Sequence, residues 1–150
     1  MDEKLVESKF KKLKKLFVKR LGKKALYNDE LECVGKKLFK SSWNGVHAQD
    51  GVVFKPGFQI INTSHRKEEG EHWVALYVED NTMFVYDSYA RPSRNLLKTL
   101  TKRAKKNKIV VCDSDRSDKE QRDNTEICGA LCCAWLVCVQ NYGIDSAMKV

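Results

Sequence analysis

The sequence predicts a single α+β domain in which a small mixed sheet packs against one central helix. The first observation is the stretch of residues 127–139, which contains no charged or strongly polar side chain. A helix that is apolar on every side belongs inside a core. The second is a pair of apolar stretches, residues 72–78 and 83–87, separated by Asp80 and Asn81, as in a β-hairpin. The chain of 150 residues is also long enough for one domain with a substantial core.

The N-terminal stretch, residues 4–24, carries apolar side chains at helical spacing with many lysines between them. We expect residues 1–27 to form a basic amphipathic extension in front of a core domain of residues 28–150. The lysine-rich surface has three interpretations: a solvated helix face packed on the domain, a nucleic-acid surface or a membrane-surface helix. The apolar face has no Trp, which favours nucleic acid over a membrane. The apolar positions are Val6, Phe10, Leu13, Phe17 and Leu21.

The rest of the chain alternates between helix and strand patterns. Residues 41–57 and the acidic stretch 113–123 are predicted to be loops. Asn124 and Thr125 can cap the central helix, and Gly143 can end it. Helices are predicted over residues 30–39 and 94–106, and strands over residues 58–63, 72–78, 83–87 and 109–112.

Charge and cysteine usage limit the environment and the partners. The formal net charge of +8 suits a polyanionic partner such as nucleic acid. Three of the six cysteines, Cys132, Cys133 and Cys138, share the apolar helix with Cys128. This clustering, with a lysine-rich N-terminus that does not read as a signal peptide, predicts a reducing, intracellular location. We expect no metal site, because no C-x-x-C pair is present, and no membrane partner.

Cys128 lies in the first turn of the predicted central helix. The helix dipole and the free N–H groups favour an anion there, and the thiolate anion is the reactive form of cysteine. The alternative is that Cys128 is one more buried core thiol.

A cysteine nucleophile needs a base, a group that orients the base, and donors for the oxyanion. His72 begins one strand of the predicted hairpin and Asp87 ends the other, so antiparallel pairing brings them together. Gln121 lies in the loop before Cys128, where its amide can point at the helix N-terminus. Taken singly, each of the three also has a structural interpretation. His72 could be a polar residue at a strand end, Asp87 a turn residue and Gln121 a solvated loop residue. Trp73 is expected to be a core aromatic that also shields the His72 ring from water, and it is a further candidate for the substrate groove.

With His, Asp, Gln and Cys in this order, the chain resembles the adenain family, the adenovirus-type maturation proteases. It is most similar to the shorter versions encoded by Polinton/Maverick, adintovirus and virophage-like elements. The matching segments are residues 61–63, 70–77, 85–89 and 121–133. The resemblance implies the adenain/ubiquitin-like-protease-type fold, in which the central helix carries the nucleophile. It also implies His72 as base, Asp87 as its orienting acid, Cys128 as nucleophile, and Gln121 with the Cys128 N–H as oxyanion hole.

The resemblance further implies a cysteine endopeptidase that cleaves viral structural precursors during capsid maturation. Cleavage near small residues is expected, in the virion and in the host-cell nucleus or assembly site. The chemistry needs no cofactor, although DNA or a peptide could act as activator, and we expect a monomer that binds DNA non-specifically. Trp43 and Asp50 lie where related enzymes build part of the substrate groove, and a structural role is equally open for both. Cys112 lies near the position of a cysteine that links adenovirus enzymes to their activating peptide, but we expect a buried thiol.

Two alternatives remain open at this point. A protease that removes SUMO or another ubiquitin-like tag shares this fold and residue order. The net charge alone would also suit a non-catalytic nucleic-acid-binding protein.

Overall fold

The computed structural model describes residues 3–21, 28–64, 72–114 and 127–150. Within these ranges the chain forms helices, strands and two short 3-10 turns, at residues Lys40–Ser42 and Gln49–Gly51. The helices are α1 (Glu3–Leu21), α2 (Asn28–Phe39), α3 (Ser93–Leu96), α4 (Lys98–Lys106), α5 (Cys128–Tyr142) and α6 (Ile144–Ala147). The strands are β1 (Trp43–Ala48), β2 (Gly57–Asn62), β3 (Trp73–Glu79), β4 (Thr82–Tyr86) and β5 (Val110–Asp113).

The five strands form one mixed sheet in the order β1-β2-β3-β4-β5, which confirms the α+β prediction. The outer pairs, β1 with β2 and β4 with β5, are parallel, and the inner pairs are antiparallel. The predicted hairpin joins β3 to β4, with Glu79 opposite Thr82 across a two-residue turn. Asp80 in that turn has a φ of 54°, because tight hairpin turns need left-handed residues.

Each face of the sheet is covered by a separate apolar cluster. On one face, Trp73, Ala75 and Tyr86 pack against α5, and α1 closes the same cluster from outside. On the other face, alternate residues of β3 and β4 pack with Leu97 and Leu100 of the α3–α4 region. The apolar helix α5 is therefore central, and residues 128–139 are all buried.

Helix α1 belongs to the core that surrounds α5. Val6 and Phe10 are almost completely buried, and the Phe10 ring meets the Tyr86 ring edge-on at a centroid distance of 6.1 Å. Tyr86 in turn stacks on Trp135 of α5, at 5.4 Å and 9°. The apolar face of the basic segment therefore packs on the domain, beneath the end of β4, as one of its three interpretations expected.

The structure differs from the sequence-based predictions in two elements and in the burial of one side chain. Residues 43–48 form an edge strand where a loop was predicted. The pattern is hidden because Gly45 has a φ of 99° and the β1–β2 register shifts between Trp43 and Val46. The predicted helix over residues 94–106 is divided at Leu97, whose ψ of 57° is not helical. Cys112 is half-buried on the edge strand β5 rather than buried.

The ends of α5 agree with the prediction where they can be compared. Gly143 follows the helix with a φ of 87°, and its N–H donates to the Val139 carbonyl. The predicted caps Asn124 and Thr125 lie outside the described residues.

Candidate active site

Three elements bring His72, Asp87 and Cys128 to one edge of the sheet. His72 comes directly before β3, Asp87 directly after β4, and Cys128 is the first residue of α5. The His72 carbonyl accepts the Thr63 N–H at 2.9 Å, which ties the start of β3 to the end of β2. All three residues of the site are buried. The β3–β4 hairpin is the reason His72 and Asp87 meet, since antiparallel strands place one start beside the other end.

The His72 ring interacts with two side chains of the site. Its Nε2 lies 2.6 Å from Asp87 Oδ1. The Cys128 side chain also interacts with the ring and raises the pKa of His72. Because the carboxylate occupies Nε2, Nδ1 is the ring nitrogen left for the exchange of a proton with the thiol.

Burial and hydrogen bonding act in opposite directions on these groups. Burial alone would lower the pKa of His72, but the hydrogen bonds to Asp87 and Cys128 raise it above its ordinary value. Burial alone would raise the pKa of Asp87, but hydrogen bonds from His72 and Arg91 bring it down to about 2. The favoured state is thus a carboxylate beside a protonated imidazole.

The position of Cys128 adds a donor at the same place. As the first residue of α5, it carries one of the backbone N–H groups that have no acceptor within the helix. The positive end of the helix dipole lies there as well. An oxyanion that forms beside the Cys128 sulfur can accept a hydrogen bond from this N–H.

The model of the adenovirus endoprotease family matches residues 45–149 of the chain. The chain belongs to this family. It is therefore a cysteine peptidase of the adenain type, and its substrates are proteins. No curated protein matches the sequence. The family match begins inside β1, so α1 and α2 precede the part of the chain that it covers.

Within this adenain-type chain, the other cysteines of α5 are core residues. Burial raises the pKa of Cys132 well above its ordinary value, that of Cys133 to about 12 and that of Cys138 to about 11. Thiols in this state react poorly, because the thiolate is the nucleophile. Cys33 differs from them, since it is exposed on α2.

Gln121, the predicted oxyanion donor, lies outside the described residues. Trp73 is buried in the core cluster around α5, directly beside His72 in the chain. Its shielding of the His72 ring stays a prediction.

The other two residues predicted to line the substrate groove, besides Trp73, lie in different places. Trp43 starts β1, stacks on Phe39 at 5.8 Å and donates its Nε1–H to Glu32 at 2.7 Å. Trp43 pairs with Phe58 of β2, and Phe58 pairs with Tyr77 of β3. Tyr77 is five residues from His72 in the chain, or roughly 16 Å along an extended strand. The structure therefore does not bring Trp43 to the catalytic edge.

Asp50 lies closer to that edge. It follows Gln49, whose N–H donates to the Ser64 carbonyl at the end of the sheet where His72 lies. The Asp50 carbonyl accepts a hydrogen bond from Arg103 of α4 at 3.0 Å. Its groove role stays a prediction.

Sequence reasoning missed Arg91 and Tyr89. The Arg91 Nε donates to Asp87 Oδ2 at 2.9 Å, and the Tyr89 ring lies 5.0 Å from the His72 ring. The available signal was an arginine four residues after the acid, in a stretch without helical pattern. That spacing alone does not predict contact, because the local turn decides where residue 91 points.

The described residues contain neither a candidate metal site nor a helix that could span a membrane. In residues 3–21, 28–64, 72–114 and 127–150, no group of three or more His, Cys, Asp or Glu side chains could hold a metal ion. None of the helices described there is long and apolar enough to cross a bilayer.

Proposed function

We propose that this protein is a cysteine endopeptidase in which Cys128 is the nucleophile, His72 the general base and acid, and Asp87 the group that orients His72. The observation that carries the proposal is the buried imidazole of His72, held at 2.6 Å by Asp87 and raised in pKa by its interaction with the Cys128 side chain. An activated thiol nucleophile needs such a base beside it, oriented by a third group.

Acylation begins with the Cys128 thiolate beside the His72 imidazolium. The sulfur attacks the scissile carbonyl carbon, and the carbonyl oxygen becomes an oxyanion. The Cys128 backbone N–H and the Gln121 side-chain amide donate to that oxyanion. His72 then gives its Nδ1 proton to the amide nitrogen, the C–N bond breaks, and the amine product leaves a thioester on Cys128.

Deacylation reverses the role of the ring. The neutral His72 takes a proton from a water molecule as the water oxygen attacks the thioester carbon. The C–S bond then breaks, the carboxylic acid product leaves, and the thiolate is restored beside the imidazolium. Asp87 stays ionised throughout and stabilises each imidazolium that forms.

The substrates we propose are viral structural precursor proteins, cleaved near small residues during capsid maturation. Membership in the adenovirus endoprotease family supports this choice, as well as a site of action in virions or infected cells. DNA or a peptide activator would act on binding and positioning, because the three side chains and the N–H groups suffice for the chemistry.

The test is the cleavage of precursor-derived peptides by variants of the intact chain. Cys128→Ala and His72→Ala should abolish turnover, whereas Cys33→Ser, a change of an exposed thiol on α2, should leave it unchanged. Asp87→Ala should retain residual activity, and Gln121→Ala should lose about 10²–10³ in rate, as for a single oxyanion donor. Thermal unfolding of each variant checks that the fold is intact. Full turnover in Cys128→Ala would refute the proposal.

A further inference from the structure

We propose that Arg91 is a positioning residue of this site, which grips Oδ2 of Asp87 so that Oδ1 stays aimed at His72. The inference rests on the proposed function, since it assigns a partner to the residue that orients the base. Arg91 is not expected to touch substrate in this role, and it acts through Asp87.

The contacts of Asp87 carry the inference. The Arg91 Nε donates to Oδ2 at 2.9 Å, and the Arg91 backbone N–H donates to the same oxygen at 3.1 Å. On the other oxygen, Oδ1, the Tyr89 N–H donates at 3.3 Å in addition to the His72 Nε2 contact at 2.6 Å. The Arg91 Nη2 also donates to Oδ1, at 3.5 Å, so the guanidinium reaches both oxygens and is closest to Oδ2. Rotation of the carboxylate would break bonds on both sides.

The backbone turn after β4 produces this grip. The Ala90 N–H donates to the Asp87 carbonyl at 2.8 Å, and Ala90 has a φ of 56° in the left-handed region. This turn directs residue 91 back toward the carboxylate. An arginine four residues after an acid therefore reaches it without any helix between them.

A second contact holds the guanidinium in place. The Arg91 Cζ lies 4.9 Å from the centroid of the Tyr89 ring, within the range of a cation–π interaction. The His72 ring lies 5.0 Å from the same Tyr89 ring, at a tilt of 39°. Tyr89 thus contacts both the guanidinium of Arg91 and the imidazole of His72, the two side chains that bind Asp87.

The chemistry explains why a second cation is useful. Asp87 is almost completely buried, and His72 loses its positive charge each time it protonates the leaving amine. Arg91 keeps its charge at every working pH. It therefore keeps Asp87 ionised and in place while the imidazole is neutral. The exposed fraction of the Arg91 side chain, 42%, moderates the size of this effect through solvent screening.

The experiment compares Arg91→Gln, Arg91→Lys and the control Arg94→Gln, which removes the same charge from an exposed position in α3. The kcat and KM for a precursor-derived peptide are measured from pH 4 to 9, and rates are divided by the folded fraction from thermal unfolding. Arg91→Gln should lower kcat roughly ten- to hundredfold with KM little changed, as expected for a misplaced catalytic group. The acid limb of its kcat–pH profile should move to higher pH, because loss of a positive charge favours protonation of Asp87.

Arg91→Lys separates charge from geometry. It should keep the acid limb near that of the parent protein and still lose kcat, because an ammonium cannot reproduce the planar grip of the guanidinium. The inference is overturned if Arg91→Gln matches Arg94→Gln in kcat and in acid limb. It is equally overturned if Arg91→Gln only lowers the folded fraction and leaves the pH profile unchanged. Either result, with Cys128→Ala inactive, leaves the proposed function standing.

Discussion

At His72 the surroundings decide the charge state of the ring. Burial opposes the imidazolium, yet the hydrogen bonds to Asp87 and Cys128 raise the pKa of His72 above its ordinary value. The imidazolium is therefore lost at a higher pH than that of a free histidine. The pKa of Asp87 is about 2, so its carboxylate persists down to strongly acidic conditions. An ion pair between His72 and Asp87 is thus expected at every pH between the two pKa values.

Alkylation at low pH tests this state of the site. The proposed mechanism pairs the Cys128 sulfur with the His72 ring. Cys128 should therefore react with iodoacetamide at pH 5.5 ahead of Cys33, which is exposed on α2. The adducts are located by mass mapping between pH 4.5 and 8.5.

His72→Ala is the control for the alkylation experiment. It should remove the reactivity of Cys128 at pH 5.5 and leave the labelling of Cys33 as it was. The buried Cys132 should remain unlabelled in the folded protein, since burial raises its pKa. Equal rates for Cys128 and Cys33 at pH 5.5, or first labelling of Cys132, would contradict the assignment.

Among the elements, α1 packs on the domain, as one of the three interpretations of the basic segment expected. Its Phe10 is buried against Tyr86, one residue before Asp87 in the chain, so α1 packs beneath the end of the strand that leads to the site. A deletion of the first 24 residues would remove this packing together with the lysines. It is therefore unsuitable for testing a DNA-binding role by itself.

Phe10→Ala measures the contribution of α1 to the core. Truncation of a buried Phe typically lowers the free energy of unfolding by about 3–5 kcal/mol, because transfer and cavity costs add. Leu16→Ala is the matched control on the same helix, since Leu16 is 42% exposed and should change stability by no more than about 0.5 kcal/mol. Urea unfolding of both variants is the measurement. Equal stability of the two variants would show that α1 is an appendage after all.

For the whole molecule, the structure separates the two basic segments. Helix α1 lies on the α5 side of the sheet, whereas α4 covers the opposite face. Within α4, Arg103 is engaged, because its Nη1 donates to the carbonyls of Asp50 and Val52. The proposed non-specific DNA binding therefore depends on two distinct lysine surfaces. Their exposed members include Lys12, Lys15 and Lys19 on α1, and Lys102, Lys105 and Lys106 on α4.

Two triple Lys→Gln variants, one for each surface, test this proposal without disturbing the core. Each phosphate contact contributes about 0.9 to the slope of log K against log salt concentration on duplex DNA. The variant of a contacting surface should bind more weakly and with a shallower slope, and small-peptide cleavage without DNA should be unchanged. Single-stranded DNA should gain no large advantage over duplex. Parent-like binding by both variants, or no binding by the parent at low salt, would contradict the proposal.

Local pattern was sufficient for the central helix and the hairpin. Residues 127–139 are apolar without interruption, and such a run has few solutions other than a core helix. Two continuous apolar stretches and a two-residue turn predict the pairing of β3 with β4, and that pairing brings His72 to Asp87. The helix and the hairpin are determined by side chains close together in sequence. The choice of Cys128 as nucleophile, by contrast, depended on His72, Asp87 and Gln121, because its place at the helix start suits a core thiol as well.

Only the tertiary structure decided the rest. Strand β1 exists because β2 and the Glu32 carboxylate supply partners for an irregular segment with no alternation of its own. Arg91 reaches Asp87 because Ala90 adopts a left-handed backbone conformation. Phe10 is a core residue because α1 packs in the same apolar cluster as α5. Trp43 is carried to the far end of the sheet by its pairing with Phe58. Such contacts depend on how separate elements meet in space, and the periodicity of one element holds no information about the face that another will present.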